Sequence, residues 1–473
     1  MRKKFNLVFG KMTIKMNKFL GVIFMILLLQ ILANAKVCKD YVTFEWRFLM
    51  KGGPTDMIIS DITGDGKKEI IVSSYDGYLH VIDHKGKELW NLWANCYVYS
   101  AYADDVDNDK SVEVIAGACR PVYLLSNNGS IMFRYMTNDP INDIISADIN
   151  SDGFSEIIAS SGFGKSSTLY VLSKDSELLW TKSIPGTNTI LLAKDIDSDG
   201  NVEIIVSSSK YLKVFDPKGN VKWMQKTNTE ISSLFIDDLN DDGKYEIFVG
   251  TVGKVYSFDS NGKVRWKTDI SGNAKAVKVS DIDNDGKKDI VIGSSQLYVL
   301  DDSGKITFNL TLGSEIEDLT IYDLDLDGYK EIIPGGKEVY VIDHEGEIEW
   351  KFKPYMRVTR IIADDLDNDK LPDLIIGSLD NSVYLFKTRK IYLEKCGILA
   401  EESTTTTSTT STTTQTSTST TSTLQEVTKT TLMTTTTIPS EEEGGFTAFS
   451  IVLIIVVIAA VAIVVLYLKK GRK

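Results

Sequence analysis

The chain has 473 residues, with 65 acidic and 52 basic side chains and a formal net charge of −13. That balance excludes a nucleic-acid binder, which needs a basic surface. Three histidines (His80, His84, His344) and four cysteines with no Cys-x-x-Cys pair offer little for imidazole catalysis or thiolate metal ligation.

In chain order, residues 1–35 read as a signal peptide. Arg2, Lys3, Lys4, Lys11, Lys15 and Lys18 precede the apolar run Phe19–Ala33, and Ala33-Asn34-Ala35 has the small-x-small form of a cleavage site. Met12 and Met16 are alternative starts. The apolar run stops short of the roughly 20 residues a membrane span needs.

Residues 36–400 are organised by one acidic nine-residue loop, in outline Asp-x-Asp-x-Asp-Gly-x-x-Glu. Its copies start at Asp61, Asp105, Asp148, Asp195, Asp238, Asp281, Asp323 and Asp365, a period of 42 to 47 residues. Fifteen residues before each start stands an aromatic: Trp46, Trp90, Phe133, Trp180, Trp223, Trp266, Phe308 and Trp350. A period of this length with several strands per repeat predicts propeller blades. In the first copy, Met57–Ser60 leads into the loop, Ile70–Ser74 reads as a buried strand and Tyr78–Ile82 as an alternating one. Turns at Tyr75–Gly77 and Asp83–Gly86 follow these strands, and Lys87–Trp90 opens a fourth. The fold expected is all-β: an eight-bladed β-propeller, with seven blades the alternative.

The aromatic register starts one strand early. Val42–Phe48, which carries Trp46, is left over as a fourth strand that would complete the last blade, whose own strands end near Val383–Phe386. Closing the ring in this way removes exposed strand edges. Ile391–Glu394 competes for the same place. In an exported protein the cysteines pair as Cys96–Cys119, across the Asp105 loop, and Cys38–Cys396, across the ring closure.

The loops predict calcium. Side chains at positions 1, 3 and 5, a carbonyl at 7 and a carboxylate at 9 converge on one point, and Ca²⁺ takes six to eight oxygens. Glycine at position 6 permits the turn. Five loops carry four carboxylates: Asp105, Asp107, Asp109, Glu113; Asp195, Asp197, Asp199, Glu203; Asp281, Asp283, Asp285, Asp289; Asp323, Asp325, Asp327, Glu331; and Asp365, Asp367, Asp369, Asp373. Two have asparagine at position 3: Asp148, Asn150, Asp152, Glu156, and Asp238, Asn240, Asp242, Glu246. The first has Asp61, Thr63, Asp65 and Glu69. These positions hold 29 acidic groups, strongly repulsive without a cation; up to eight Ca²⁺ would bring the charge from −13 to about +3. Thr63 offers a hydroxyl where the other loops have a carboxylate or amide, and Lys110 and Lys370 replace the position-6 glycine, so the Asp61 loop is expected to bind weakest, with those at Asp105 and Asp365 next.

Beyond the propeller, residues 401–445 form a disordered stalk: in Ser403–Thr423 only Gln415 is neither Ser nor Thr. Such a segment cannot build a core and reads as O-glycosylated. Asn128 and Asn309 start N-glycosylation acceptor patterns. Residues 446–468 contain no charge and are long enough for one transmembrane helix. Lys469, Lys470, Arg472 and Lys473 follow, placing the tail 469–473 in the cytoplasm and the propeller outside, as in a single-pass type I cell-membrane protein.

Asp281-Ile-Asp-Asn-Asp-Gly-Lys-Lys-Asp289 with Ile290-Val-Ile-Gly293 resembles the FG-GAP repeat of integrin α-subunit heads and of bacterial and archaeal surface proteins. The resemblance covers roughly residues 40–395, although the Phe-Gly…Gly-Ala-Pro part is degenerate. Val81–Trp90 is similar to the tryptophan motif of quinoprotein propellers. The stalk and anchor look like those of prokaryotic envelope proteins. No inserted ligand-binding domain accompanies the repeats, so integrin ligands do not carry over.

The reading that follows is a membrane-anchored ligand-binding or adhesion module, a monomeric propeller for an extracellular protein or glycan, and not an enzyme. The alternatives are a polysaccharide lyase-like or quinoprotein-like enzyme, or an architectural envelope protein. No Gly-x-Ser-x-Gly, His-Glu-x-x-His or vicinal cysteine pair is present, His84 and His344 occupy equivalent turns, and His80 reads as packing. A ligand is expected on the face opposite the acidic loops, where Trp93, Tyr97, Tyr99 and Arg120 surround Cys96–Cys119.

Overall fold

The computed structural model describes residues 41–389, and among these every regular element is a β-strand. After β1 (Val42–Leu49), the first repeat folds as an antiparallel sheet of β2 (Pro54–Ser60), β3 (Glu69–Ser74), β4 (Tyr78–Ile82) and β5 (Glu88–Trp93), in that spatial order. Seven more sheets begin at Val98, Ile141, Ile190, Ile231, Ala276, Asp318 and Val358. The blade count of eight therefore stands. β2 begins at Pro54, three residues before the apolar run read from the sequence. The fifth sheet has three strands because one long strand, Glu246–Phe258, replaces two; Gly253, at φ 81°, lies within it.

Burial along each blade follows from its neighbours. β3 is buried at every residue because blades pack on both its faces, whereas β5 alternates and meets solvent. The core is accordingly eight separate apolar clusters, each joining one blade to the next. One of them joins Met57, Ile70 and Val72 of the first blade to Leu366, Ile375 and Val383 of the last.

The aromatic register docks each blade on its successor. The indole N–H of Trp46, Trp90, Trp180, Trp223 and Trp266 donates to a hairpin carbonyl of the following blade at 2.8–3.0 Å. Each ring lies so close to a glycine (Gly86, Gly129, Gly219, Gly262 and Gly304) that an added Cβ would come within about 3 Å of it. Trp46 makes this contact although it enters from the other end of the chain. Its strand β1 pairs antiparallel with Ser382–Thr388, Trp46 opposite Leu385 and Arg47 opposite Tyr384. The last sheet is thus completed from the N-terminus. Ile391–Glu394, Cys38, Cys396, the signal peptide, the stalk and the 446–468 span all lie outside the described residues. Among the described residues no helix is long and apolar enough to cross a membrane.

Candidate functional site

Each acidic loop joins the innermost strand of a blade to the next, which gathers all eight at one end of the ring. Their hydrogen bonds repeat with little variation. The position-5 carboxylate accepts from the position-7 N–H at 2.7–2.9 Å. The position-9 carboxylate accepts from the position-2 N–H at 2.6–3.5 Å. Position 2 (Ile62, Val106, Ile149, Ile196, Leu239, Ile282, Leu324, Leu366) is buried, so an apolar anchor in the core holds the loop while one oxygen of position 9 is left to turn inward. Lys110 and Lys370 take the left-handed backbone expected of position 6, at φ 74° and 70°. Position 4 is left-handed as well, from Gly64 to Asn368 and even at Leu326, a requirement the sequence reading missed. Its signal was the run of Gly, Asn, Ser and Asp at that position.

Convergence separates the loops. In those at Asp105, Asp195, Asp281, Asp323 and Asp365, three carboxylates bring oxygens within 4.8 Å of one another. These are the five loops with four carboxylates. Each also leaves one buried oxygen without a hydrogen bond, on Asp107, Asp197, Asp281, Asp323 and Asp367 respectively. Where position 3 is asparagine, its amide meets a carboxylate instead: Asn150 donates to Glu156 at 2.8 Å and Asn240 to Asp242 at 3.1 Å. At Thr63 only the backbone N–H reaches Glu69, at 3.2 Å.

Burial, compounded by the neighbouring carboxylates, pushes Glu113, Glu156 and Asp325 up to about 7 and Glu331 up to about 9. Around Asp323 the crowding is greatest, since Glu349 adds another acid and accepts from the Tyr41 hydroxyl at 2.7 Å. Elsewhere the chain brings its own cation. Lys222 lies 2.8 Å from both Asp197 and Glu203, Lys387 lies 2.7 Å from Asp367, and Arg265 pairs with Glu246.

A second site lies on the axis. The residue five before each loop start reads Asp56, Ser100, Asp143, Ile190, Ser233, Ala276, Asp318 and Arg360, all lining or flanking a cavity of about 450 Å³. Polar residues at one fixed register of an inner strand were the overlooked signal. The Ser100 hydroxyl reaches Asp143 at 3.0 Å and Asp56 at 3.3 Å, and Arg360 pairs with Asp56 at 3.1 Å. Asp143 also accepts from Leu191 N–H at 2.8 Å, and Asp318 from Ile361 N–H at 2.9 Å, so these acids tie successive blades together. Burial raises Asp143 to about 6.

On the face opposite the acidic loops, Cys96 and Cys119 form the expected disulfide. Tyr97 stacks edge-on against Tyr75 at 5.5 Å and Tyr99 at 6.2 Å, and Trp93 lies 4.7 Å from Tyr78. Arg120 instead bonds Thr137 O at 3.3 Å. His80 is buried, packs with its ring centre 5.6 Å from those of Phe48 and Tyr78, and is also held between Glu88 (2.6 Å) and Asp76 (3.3 Å).

Residues 43–101 and 212–311 match the family described as the lambda-carrageenase beta-propeller domain. Lambda-carrageenases of Pseudoalteromonas sp and Pseudoalteromonas carrageenovora are 29% identical over 119 residues, 24% of this chain and 12% of each relative. The chain thus aligns with only a small part of those proteins. BamB from Moraxella catarrhalis superposes with a TM-score of 0.55 at 12% identity, covering 73% of this chain and 99% of that one. BBS1N in complex with ARL6DN gives 0.50 at 11%, covering 74% and 98%. At such identities these two show the fold alone.

The chain therefore contains a β-propeller domain that is similar, over residues 43–101 and 212–311, to that of lambda-carrageenase, a polysaccharide-degrading enzyme. This corrects the expectation of a non-enzymatic protein, because the likeness points toward an enzyme. That expectation rested on missing local motifs, yet the paired carboxylates of glycosidases come from separate strands and leave no fixed spacing to find.

Proposed function

We propose that this chain is a surface-displayed, calcium-stabilised propeller that binds and hydrolyses a polysaccharide. The observation that carries the reading is the relation to the lambda-carrageenase propeller. The axial cavity supports it, since Asp143 and Asp56 stand one hydroxyl apart, a separation of the kind glycosidase pairs use. Asp143, kept protonated to about pH 6 by burial, gives its proton to the glycosidic oxygen. Asp56, beside Arg360, attacks the anomeric carbon as that oxygen leaves, and a water deprotonated by the Asp143 carboxylate then releases the sugar from Asp56, so that water adds across the C–O bond. Display rests on the signal peptide, the Ser/Thr stalk and the 446–468 span, with Cys38–Cys396 locking the ring outside the cell.

Release of reducing ends from λ-carrageenan, agarose and a neutral β-glucan tests this reading. The full-length protein is expected to cleave at least one, and Asp143→Asn to lower the rate about 100-fold or more. Asparagine keeps an acceptor for Leu191 N–H, so an unchanged melting temperature separates the chemistry from the blade-to-blade bond. Equal rates for the variant and the parent remove Asp143 from the reaction, and no cleavage of any polymer sinks the hydrolase.

The five convergent loops, each with an unpartnered buried oxygen, suit a hard cation of calcium's size, which supplies the charge those carboxylates lack. Eight calcium sites of unequal strength are expected. The Asp323 loop, richest in acids, binds tightest. The Asp61 loop, without a carboxylate at position 3, binds weakest. Left-handed Lys110 weakens the Asp105 loop, and at Asp365 left-handed Lys370 and the Lys387 ammonium both compete with the ion. Calcium titration of single-loop variants checks the order: Asp325→Asn should lose the highest-affinity step and Asp65→Asn the lowest. Eight equal sites refute the ranking.

A further inference from the structure

In a repeat scaffold, whatever recurs in all blades serves the fold, so a feature confined to adjacent blades calls for another explanation. The connections opposite the acidic loops divide this way. Those after the second, third and fourth blades read Thr137-Asn-Asp-Pro140, Gly186-Thr-Asn-Thr189 and Thr227-Asn-Thr-Glu230. Among the described residues, aromatic side chains within these connections, between the strands, stand only in the sector running from the seventh blade through the eighth to the first and second. Tyr355 lies between the seventh and eighth, Tyr75 in the first, and Tyr97 between the first and second.

These rings face solvent. Tyr355 is 87% exposed, Trp93 53%, Tyr97 50% and Tyr75 46%. They are also held in place. The Arg47 guanidinium lies between the rings of Tyr355 and Tyr384, 5.7 and 5.1 Å from their centres, and Asp380 accepts from Tyr355 N–H at 3.1 Å and from the Tyr384 hydroxyl at 2.6 Å. Tyr97 follows a disulfide-bonded cysteine and leans on Tyr75. Rings fixed but left wet form a preorganised platform, since holding an apolar face in water gains nothing unless something covers it.

Cavities beside two of the rings adjoin one another. A cavity of about 640 Å³ beside Tyr355 shares Glu317, Arg357 and Leu379 with one of about 240 Å³ beside Tyr75, which shares Arg360 with the axial cavity. Its charges are balanced: Arg357 pairs with Glu317 at 3.2 Å, Lys353 with Glu338 at 3.1 Å, and Lys275 with Glu315 and Glu317 at 3.0 and 2.9 Å. A groove of this kind offers ring faces and donor–acceptor pairs without a surplus of either sign.

We propose that this sector is a saccharide-binding track that feeds a polysaccharide chain to the axial cavity. It holds the chain by stacking sugar rings on Tyr355 and on the Tyr75–Tyr97–Trp93 group, and by bonding hydroxyls to Arg357 and Glu317. The proposal rests on the polysaccharide reading and adds where the chain lies and how it is recognised. Residues 43–101, which match the carrageenase propeller family, contain three of these four aromatics, Tyr75, Trp93 and Tyr97. Because stacking dominates and the Arg357–Glu317 pair carries no net charge, binding through this track is nearly independent of salt, unlike binding to a basic patch.

Affinity electrophoresis of the calcium-loaded full-length protein in detergent, through gels containing λ-carrageenan, agarose or a neutral β-glucan, tests the track. Retardation in at least one gel is expected. Tyr355→Ala and Tyr97→Ala should each weaken it about 10-fold and the double variant about 50-fold or more, while 0.5 M NaCl changes it less than 2-fold. Val252→Ala, at a residue 50% exposed on the fifth blade, is the control and should leave it unchanged. Melting temperatures equal to the parent's show that the tyrosine variants are folded. If the parent is retarded and both tyrosine variants match it, or if salt abolishes retardation, the track is refuted while the polysaccharide reading stands. If the parent is retarded by no polymer, both fall.

Discussion

Stripping calcium from the purified protein should cost it more stability than any single substitution. A ligand that binds only the folded state adds about 2.7 kcal/mol per site at 100 times its Kd, so eight sites could contribute up to ~20 kcal/mol. A fall in melting temperature on the order of 20 °C in chelator is the expected result. The pH dependence should change sign with the metal. In calcium-free protein, Glu113 and Glu156, raised to about 7, and Glu331, raised to about 9, bind protons when folded that unfolded carboxyls near 4.5 have already lost. The folded state then holds more protons than the unfolded state between about pH 4.5 and 7, so stability falls as pH rises through that window. With calcium bound the same acids must be ionised, and lowering the pH releases the ion and destabilises. Calorimetry at pH 5 and pH 7, with calcium and with chelator, reads both effects. A melting temperature indifferent to chelator, together with no calcium in elemental analysis, would remove the metal from the fold.

Deleting residues 36–49 should be nearly as damaging, through a different cause. β1 supplies the outer strand of the last blade, Trp46 donates to His84 O at 3.0 Å in the first, and Tyr41 and Val42 are buried between the seventh and eighth. Without them Ser382–Thr388 becomes an open edge able to pair with other chains. The truncated protein is expected to aggregate and to lose a cooperative transition. Trp46→Ala, which leaves the strand in place, should cost about 3 kcal/mol or more by removing the ring packed on Gly86. Peptide mapping without reductant should recover Cys38 joined to Cys396; a cross-link closing so long a loop is worth about 4 to 5 kcal/mol on the chain-entropy model. A monomeric, equally stable truncation would mean that another segment, such as Ile391–Glu394, can close the ring.

Fold and loops were legible because they are local and repeated. A nine-residue loop carries its own geometry, with glycine or another tolerant residue where the backbone turns left-handed, and eight copies average out the exceptions. Leu326, left-handed without glycine, or Glu246–Phe258, one strand where other blades have two, would mislead anyone reading a single blade. Trp46 was readable for the same reason: it kept register with seven other aromatics although its partner strand lies more than 300 residues away.

What the sequence alone determined was the repeat: eight blades, their order, the closing strand and the acidic positions of each loop, all encoded within about 45 residues at a time. What only tertiary structure decided was what different blades do together. Asp56, Ser100, Asp143 and Arg360 meet on the axis, Lys222, Lys387 and Arg265 occupy some loops and not others, and Tyr355 shares a sector with Tyr75 and Tyr97. The physical reason is ring closure. It sets side by side residues far apart in the chain, and no periodicity records which of them face each other across the axis or along one arc of the rim.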